Sequence, residues 1–179
     1  MKFRLCFLAL LMFCFFTVLP PAGGQQNGPA QVLSEESLNK LLPGSVFLEG
    51  QNVPVQKRNA VGARMAGGKI LIVTFLDTSG YSADYQEKYT AMVLTQGTLL
   101  FGKSEIKPGA YGLGKKKTTT SGMESQSFHL YDLGGNPVAA APAVKDEKIR
   151  PVRTIHLSVD SGQSFRLYLG PYFVTLVPR

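Results

Sequence analysis

The sequence predicts an all-β protein, an antiparallel β-sandwich with a small β-barrel as runner-up and one short N-terminal helix. Three observations carry that prediction. Apolar residues recur in short alternating or continuous runs, Gly, Pro, Asn and Asp interrupt those runs at hairpin intervals, and the βαβ alternation of a nucleotide-binding sheet is missing. About nine or ten strands are expected at that spacing.

The chain opens with Lys2 and Arg4 ahead of an unbroken apolar run over residues 5–19, closed by Pro20-Pro21 and then Ala22-Gly23-Gly24-Gln25. At roughly 1.5 Å per residue such a run spans about 22 Å, short of the roughly 30 Å hydrocarbon core of a bilayer. Residues 1–24 therefore read as a signal peptide cleaved after Gly24, and the product is expected to be secreted or periplasmic, with no integral membrane segment after cleavage. Cys6 and Cys14, the 2 cysteines of the chain, both fall in that segment. A cysteine-free mature chain has no disulfide, thiol nucleophile or thiolate metal site. Cys14 follows Leu11-Met12-Phe13 rather than the small residue a lipoprotein signal needs.

Removing 24 of the 179 residues leaves 155, the length of one domain with a sizeable core. Residues 25–44 read as a leader and short helix, and residues 45–179 as a single β domain. Losing Lys2 and Arg4 lowers the formal net charge from +7 to +5, a balance that favours anionic partners such as envelope polymers or phospholipid head groups. Nucleic acid is not expected. The basic residues are scattered apart from Lys115-Lys116-Lys117, and no nucleic-acid motif accompanies them.

Ser34 can cap the helix, Glu35 and Glu36 suit its first turn, and Leu33 with Leu38 has the spacing of a hydrophobic staple. Pro43-Gly44 stops it, and two turns need a tertiary partner, so Leu38, Leu41 and Leu42 are expected to dock. Strands follow over residues 46–48 and 53–56. A hairpin joins residues 61–66 to 69–76 through a two-residue Gly67-Gly68 turn, with Ile70 to Val73, Phe75 and Leu76 apolar enough for a central strand covered on both faces. Tyr81, Tyr85 and Tyr89 recur every four residues, as on one side of a helix, but also fit alternation, and residues 81–89 are read as a loop leading into a strand. Residues 89–95 and 98–101 are expected to pair across Gln96-Gly97.

Residues 105–136 read as a hairpin, with a turn at Lys107-Pro108-Gly109, a short strand over residues 110–114 and Lys115 to Lys117 in a solubilising tip. Residues 138–144, flanked and interrupted by Pro137 and Pro142, read as an edge or loop. Near the C-terminus the register is sharply defined. A turn at Gly170-Pro171 sets Leu169, Leu167 and Phe165 against Tyr172, Val174 and Leu176, and an odd-length loop around Ser161-Gly162 sets Val159, Leu157 and Ile155 against Phe165, Leu167 and Leu169. His156 then stands beside Tyr168 and Ser158 beside Arg166.

Catalytic signatures are missing. The two histidines, His129 and His156, have no zinc spacing, no G-x-S-x-G is present, and the glycines from Gly102 to Gly114 lack the spacing of a phosphate loop. No metal or cofactor is expected. One arrangement is more specific. Gly112 and Gly114 leave one strand face almost bare, and Phe128 and Leu130 turn His129 and Tyr131 to the opposite side of the returning strand. If His129 and Tyr131 share the glycine face, they border a shallow trough of the kind that holds a sugar ring against an aromatic one. Lys107-Pro108-Gly109-Ala110-Tyr111 resembles the P-G-x-Y start of a strand in transthyretin-like and other secreted β-sandwich modules. The resemblance spans five residues, includes no functional residue and implies fold class alone.

The function expected is a non-enzymatic exported binding module for a polysaccharide, a cell-envelope component or a partner protein, with contacts from His129, Tyr131, Gly112, Gly114, Tyr81 and Tyr85. Two alternatives stand beside it. One is an exported hydrolase using a carboxylate from Asp77, Asp84 or Glu87 with a histidine; the other is a structural subunit that assembles through an exposed strand edge.

Overall fold

The computed structural model describes residues 28–120, 123–160 and 163–179. The expected signal segment and the turn at Ser161-Gly162 lie outside the described residues. Thirteen strands and two helices follow one another as β1 (Gln31–Val32), α1 (Glu35–Leu41), β2 (Ser45–Leu48), β3 (Gln51–Arg64), β4 (Ile70–Leu76), α2 (Ala83–Lys88), β5 (Ala91–Thr95), β6 (Leu99–Phe101), β7 (Ser104–Ile106), β8 (Gly109–Thr120), β9 (Met123–Tyr131), β10 (Pro137–Lys145), β11 (Ile155–Val159), β12 (Phe165–Leu169) and β13 (Tyr172–Pro178). Every described pairing is antiparallel. One layer runs β1-β3-β4-β5-β8-β9-β10, and β13, β12, β11, β6 and β7 make the second. The layers join where Val144 and Lys145 of β10 pair with Phe173 and Tyr172 of β13. Among the described residues no pairing returns from β11 to β1, so the sheet is a sandwich and not a closed barrel.

Alternation builds the core. Leu71, Val73, Val93, Leu113, Phe128 and Leu130 of the first layer meet Phe101, Leu157, Phe165, Leu167 and Leu176 of the second in one nearly solvent-free cluster. The C-terminal register follows from the same demand: Leu169 pairs with Tyr172, Leu167 with Val174, Phe165 with Leu176, and His156 with Tyr168. A slip of one residue would turn every one of these apolar side chains outward. The tyrosine of the strand start, Tyr111, donates its hydroxyl back to Lys107 O at 2.7 Å, a corner contact familiar in sandwich folds.

The outer face of the first layer is covered too. Ser34 caps α1 through the Ser37 N–H at 3.3 Å, and Leu38 and Leu42 close over Ile72 with Leu33 beside them. Leu41 does not dock as expected. It stays 48% exposed, because a helix this short has room for one buried stripe and Leu38 with Leu42 occupy it. Farther along, the β2–β3 hairpin folds over Met92 and Leu76, since a bulge between Gln56 and Ala60 bends β3 between its two pairings.

Three expectations about connections are corrected. The β3–β4 loop has three residues, not two: Met65 N–H donates to Lys69 O at 2.7 Å, with Gly67 at φ 78° and Gly68 at φ 79° inside the turn. β5 does not pair with β6. Thr95 Oγ1 accepts the Gly97 N–H at 3.2 Å and donates to Gly97 O at 2.7 Å, a local turn that sends the chain into the other layer. There β6 pairs with β7 and β13. The lysine run is not a tip, because Lys115, Lys116 and Lys117 lie in mid-strand opposite Phe128, Ser127 and Gln126. β10 keeps the expected edge character over residues 137–143, where β9 is the paired flank, and β13 joins the other flank only at Val144 and Lys145, so both prolines precede the residues that join the second layer.

Candidate functional site

Residues 83–88 form α2 rather than a loop, a correction with a clear local cause. Ser82 accepts the Tyr85 N–H at 3.3 Å as N-cap, Asp84 sits in the first turn, and the four-residue tyrosine spacing gives the helix one aromatic side. That side faces the β2–β3 hairpin, where each phenol finds an acceptor. Tyr81 donates to Asn52 O at 3.0 Å, Tyr85 to Leu48 O at 2.9 Å and Tyr89 to Glu49 Oε1 at 2.9 Å.

The rings continue onto the sheet. Tyr81 and Tyr85 stack at 4.7 Å, Tyr85 meets Tyr89 at 4.6 Å, Tyr89 meets Tyr131 edge-on at 6.1 Å, and Tyr131 lies parallel to His129 at 6.4 Å. Gly112 stands opposite Tyr131 and Gly114 opposite His129, so the two rings do share the glycine face. The structure thus brings all six expected contact residues into one region. The glycine floor itself is not open. A Cβ on Gly112 would come within 2.3 Å of the Tyr89 ring, and one on Gly114 within 2.6 Å of Glu87 O. The absence of side chains there lets the C-terminal turn of α2 lie directly on the sheet.

Beside that contact a cavity of about 220 Å³ remains, lined by Asp84, Glu87, Lys88, Lys116 and Tyr131. Lys116 Nζ stands 3.8 Å from Glu87 Oε1. Lys88 Nζ lies 5.2 Å from the Tyr131 ring centre and pairs with the Glu49 carboxylate. Glu49 and Gly50 turn the β2–β3 hairpin at φ 49° and 76°, a left-handed pair that suits the twist of a tight hairpin. The Glu49 carboxylate also sits where a Cβ on Gly135 would be, so the β9–β10 turn needs glycine at that point.

These surroundings set the protonation states. The hydrogen bond from Lys88 holds the Glu49 carboxyl below its ordinary value. Burial pushes Tyr85 up to about 12, and burial followed by the Glu49 hydrogen bond raises Tyr89 as well. His129 is lowered, first by burial and then by the Lys116 charge, against a smaller opposite effect of Glu87. Its Nε2 is 2.8 Å from Ser127 Oγ.

Of the candidate carboxylates, Asp84 and Glu87 reach the cavity, while Asp77 accepts the N–H and hydroxyl of Ser79 in its own turn. His156 is elsewhere, in the second layer against Tyr168 at 5.7 Å. Glu49 and Lys88 are site residues that the sequence did not single out, and Lys116 stood out there only as part of the lysine run. Only the Glu49-Gly50 step between two strands hinted at a turn there. Among the described residues no group of three or more His, Cys, Asp or Glu side chains could hold a metal ion, and no helix is long and apolar enough to cross a membrane.

Fold and site together define an antiparallel β-sandwich with a helix-capped aromatic row on its outer face. No family model matches the chain, and no curated protein or solved structure does so either.

Proposed function

We propose that the protein is an exported, non-enzymatic binding module whose ligand is a polysaccharide or another hydroxyl-rich component of the cell envelope. The observation that carries this reading is the cavity between α2 and the β8–β9 hairpin. Asp84 and Glu87 bring acceptors, Lys88 and Lys116 bring donors, and Tyr131 brings a ring, all around a space of about 220 Å³. Sugar hydroxyls both donate and accept, so a mixed-charge rim matches them, while the ring complements a sugar's C–H face. His129 and Tyr131 contribute from the sheet, and Tyr81 and Tyr85 extend the aromatic row along α2.

Glycan arrays and envelope-polysaccharide pull-downs test this, using the folded protein with its Asp84→Ala, Lys116→Ala and His129→Ala variants. Retention of a glycan that the variants weaken supports the reading. No retained glycan, or retention that all three variants leave unchanged, removes it.

A hydrolytic reading has one observation in its favour. Ser127, His129 and Glu87 converge on one face, with a hydroxyl 2.8 Å from an imidazole that burial favours in its neutral, proton-accepting form. Turnover of chromogenic esters or glycosides that disappears in His129→Gln would select it over binding alone.

A further inference from the structure

The lysine run splits between the two faces of β8. Lys116, opposite Ser127, turns toward α2 and Glu87. Lys115 and Lys117, opposite Phe128 and Gln126, turn to the inner face, which carries the core farther along the same strands. At that end of the sandwich the layers part around a cavity of about 410 Å³. Lys115, Lys117, Gln126, Thr90 and Thr154 line it with polar groups, and Phe75 and Tyr172 border it with rings.

Gln126 supplies a second and independent observation. It is only 7% exposed, and its Nε2 is buried without a hydrogen-bond partner among the described residues. A buried amide N–H lacking an acceptor is unfavourable, and the two lysines cannot supply one because an ammonium only donates. Among the described residues no carboxylate lines the cavity. The acid on the same face of β9, Glu124, stands opposite Thr119, two residues beyond Gln126. The group that would complete this site is therefore an acceptor, and the lysines favour a negatively charged one.

We propose that this cavity binds an oxyanionic group, a carboxylate or a phosphate or sulfate ester, carried on a small organic body. Lys115 and Lys117 neutralise the charge. Gln126 Nε2 donates to it after a turn about the last torsion of its side chain, which is soft. The Thr154 hydroxyl orients the group, while that of Thr90 donates to Gln86 O at 3.4 Å, and the Phe75 and Tyr172 rings border the organic part. The site lies on the opposite face of the β8–β9 hairpin from the cavity under α2, so it goes beyond the proposed glycan contact and stands or falls separately.

The test is an ¹⁵N–¹H NMR titration of the folded protein, reading the Gln126 side-chain amide. The probes are inorganic phosphate, sulfate, glucuronate and glucose 6-phosphate, with glucose as neutral control at matched ionic strength. A saturable shift with glucuronate or glucose 6-phosphate, absent with glucose, is expected. Replacing both Lys115 and Lys117 by Gln should weaken binding about tenfold or more, and Lys116→Gln should leave it within about twofold. In Gln126→Leu the backbone amides of Lys117 and Ser127 report in place of the lost side chain, and the affinity should also fall.

No saturation by any of the four oxyanions, or equal weakening by Lys116→Gln, overturns the proposal. Inorganic ions binding as tightly as the sugar anions would overturn the organic body.

Discussion

Gly112→Ala tests how α2 is seated, because its sign is opposite for a covered and an open glycine. In an unobstructed strand the change would stabilise by roughly 0.5–1 kcal/mol, since glycine loses the most backbone freedom on folding. Here the new Cβ would lie 2.3 Å from Tyr89 Cδ1 and Cε1. That is roughly 1 Å or more inside ordinary carbon–carbon contact. Tyr89 has no exposed surface, its hydroxyl is held at 2.9 Å by Glu49, and Tyr85 and Tyr131 flank its ring. The ring cannot step aside without giving up that bond. Overpacking by one methyl costs about 1–3 kcal/mol, and a weakened hydrogen bond to a charged acceptor adds to it, so a loss of about 3 kcal/mol is expected. For a domain of this length that is a fall in Tm of roughly 6–12 °C. Urea and thermal unfolding followed by circular dichroism measure it. Tyr89→Leu makes room for the methyl, so the double variant should be more stable than the two single losses predict. Gly112→Ala within about 0.5 kcal/mol of the wild type, or strict additivity with Tyr89→Leu, would refute the seating of α2 described here.

Three further outcomes follow from the same contacts. Tyr85→Phe removes the hydroxyl that donates to Leu48 O at 2.9 Å and should cost about 1 kcal/mol in urea unfolding; it should also abolish the tyrosinate absorbance step that burial pushes up to about 12. Leu38→Ala, at a side chain only 4% exposed under α1, should cost about 2 kcal/mol, the low end for a buried leucine because α1 lies at the periphery. His129 and His156 are both lowered in the fold, mainly by burial, from the ordinary histidine value of about 6.5. Below pH 6.5 the unfolded chain therefore takes up protons that the native state does not. Stability should be fully present above that pH and fall as pH drops through 6.5 toward the folded values, and the double His→Gln variant should flatten that part of the profile.

Periodicity made the sandwich legible, because period 2 with one buried face allows a single register. The C-terminal hairpins were readable to the residue for that reason: a slip would expose Leu167, Leu169, Val174 and Leu176 together. The sharing of one face by Gly112, Gly114, His129 and Tyr131 was legible on the same ground. What covers that face was not. Tyr81, Tyr85 and Tyr89 fit both a helix and a strand, and the choice depended on acceptors that β2 and β3 supply from some thirty to forty residues away.

Layer changes were the other blind point. Gln96-Gly97 looks like a hairpin turn, but β4 and β8 occupy both flanks of β5, so the chain must cross to the second layer. Lys115 to Lys117 read as one charged unit until strand pairing divided them, sending Lys116 to Glu87 and its neighbours to the cavity beside Gln126.

The sequence by itself therefore determined the fold class, the N-cap of α1 and the register of the C-terminal hairpins, since these depend on contacts between near neighbours and on a fixed two-residue period. Only the tertiary structure decided that the glycine floor is covered by α2, that Glu49 and Lys88 meet there, and that two lysines share a cavity with a buried amide. Those are contacts between distant segments, and no local spacing encodes which segment arrives.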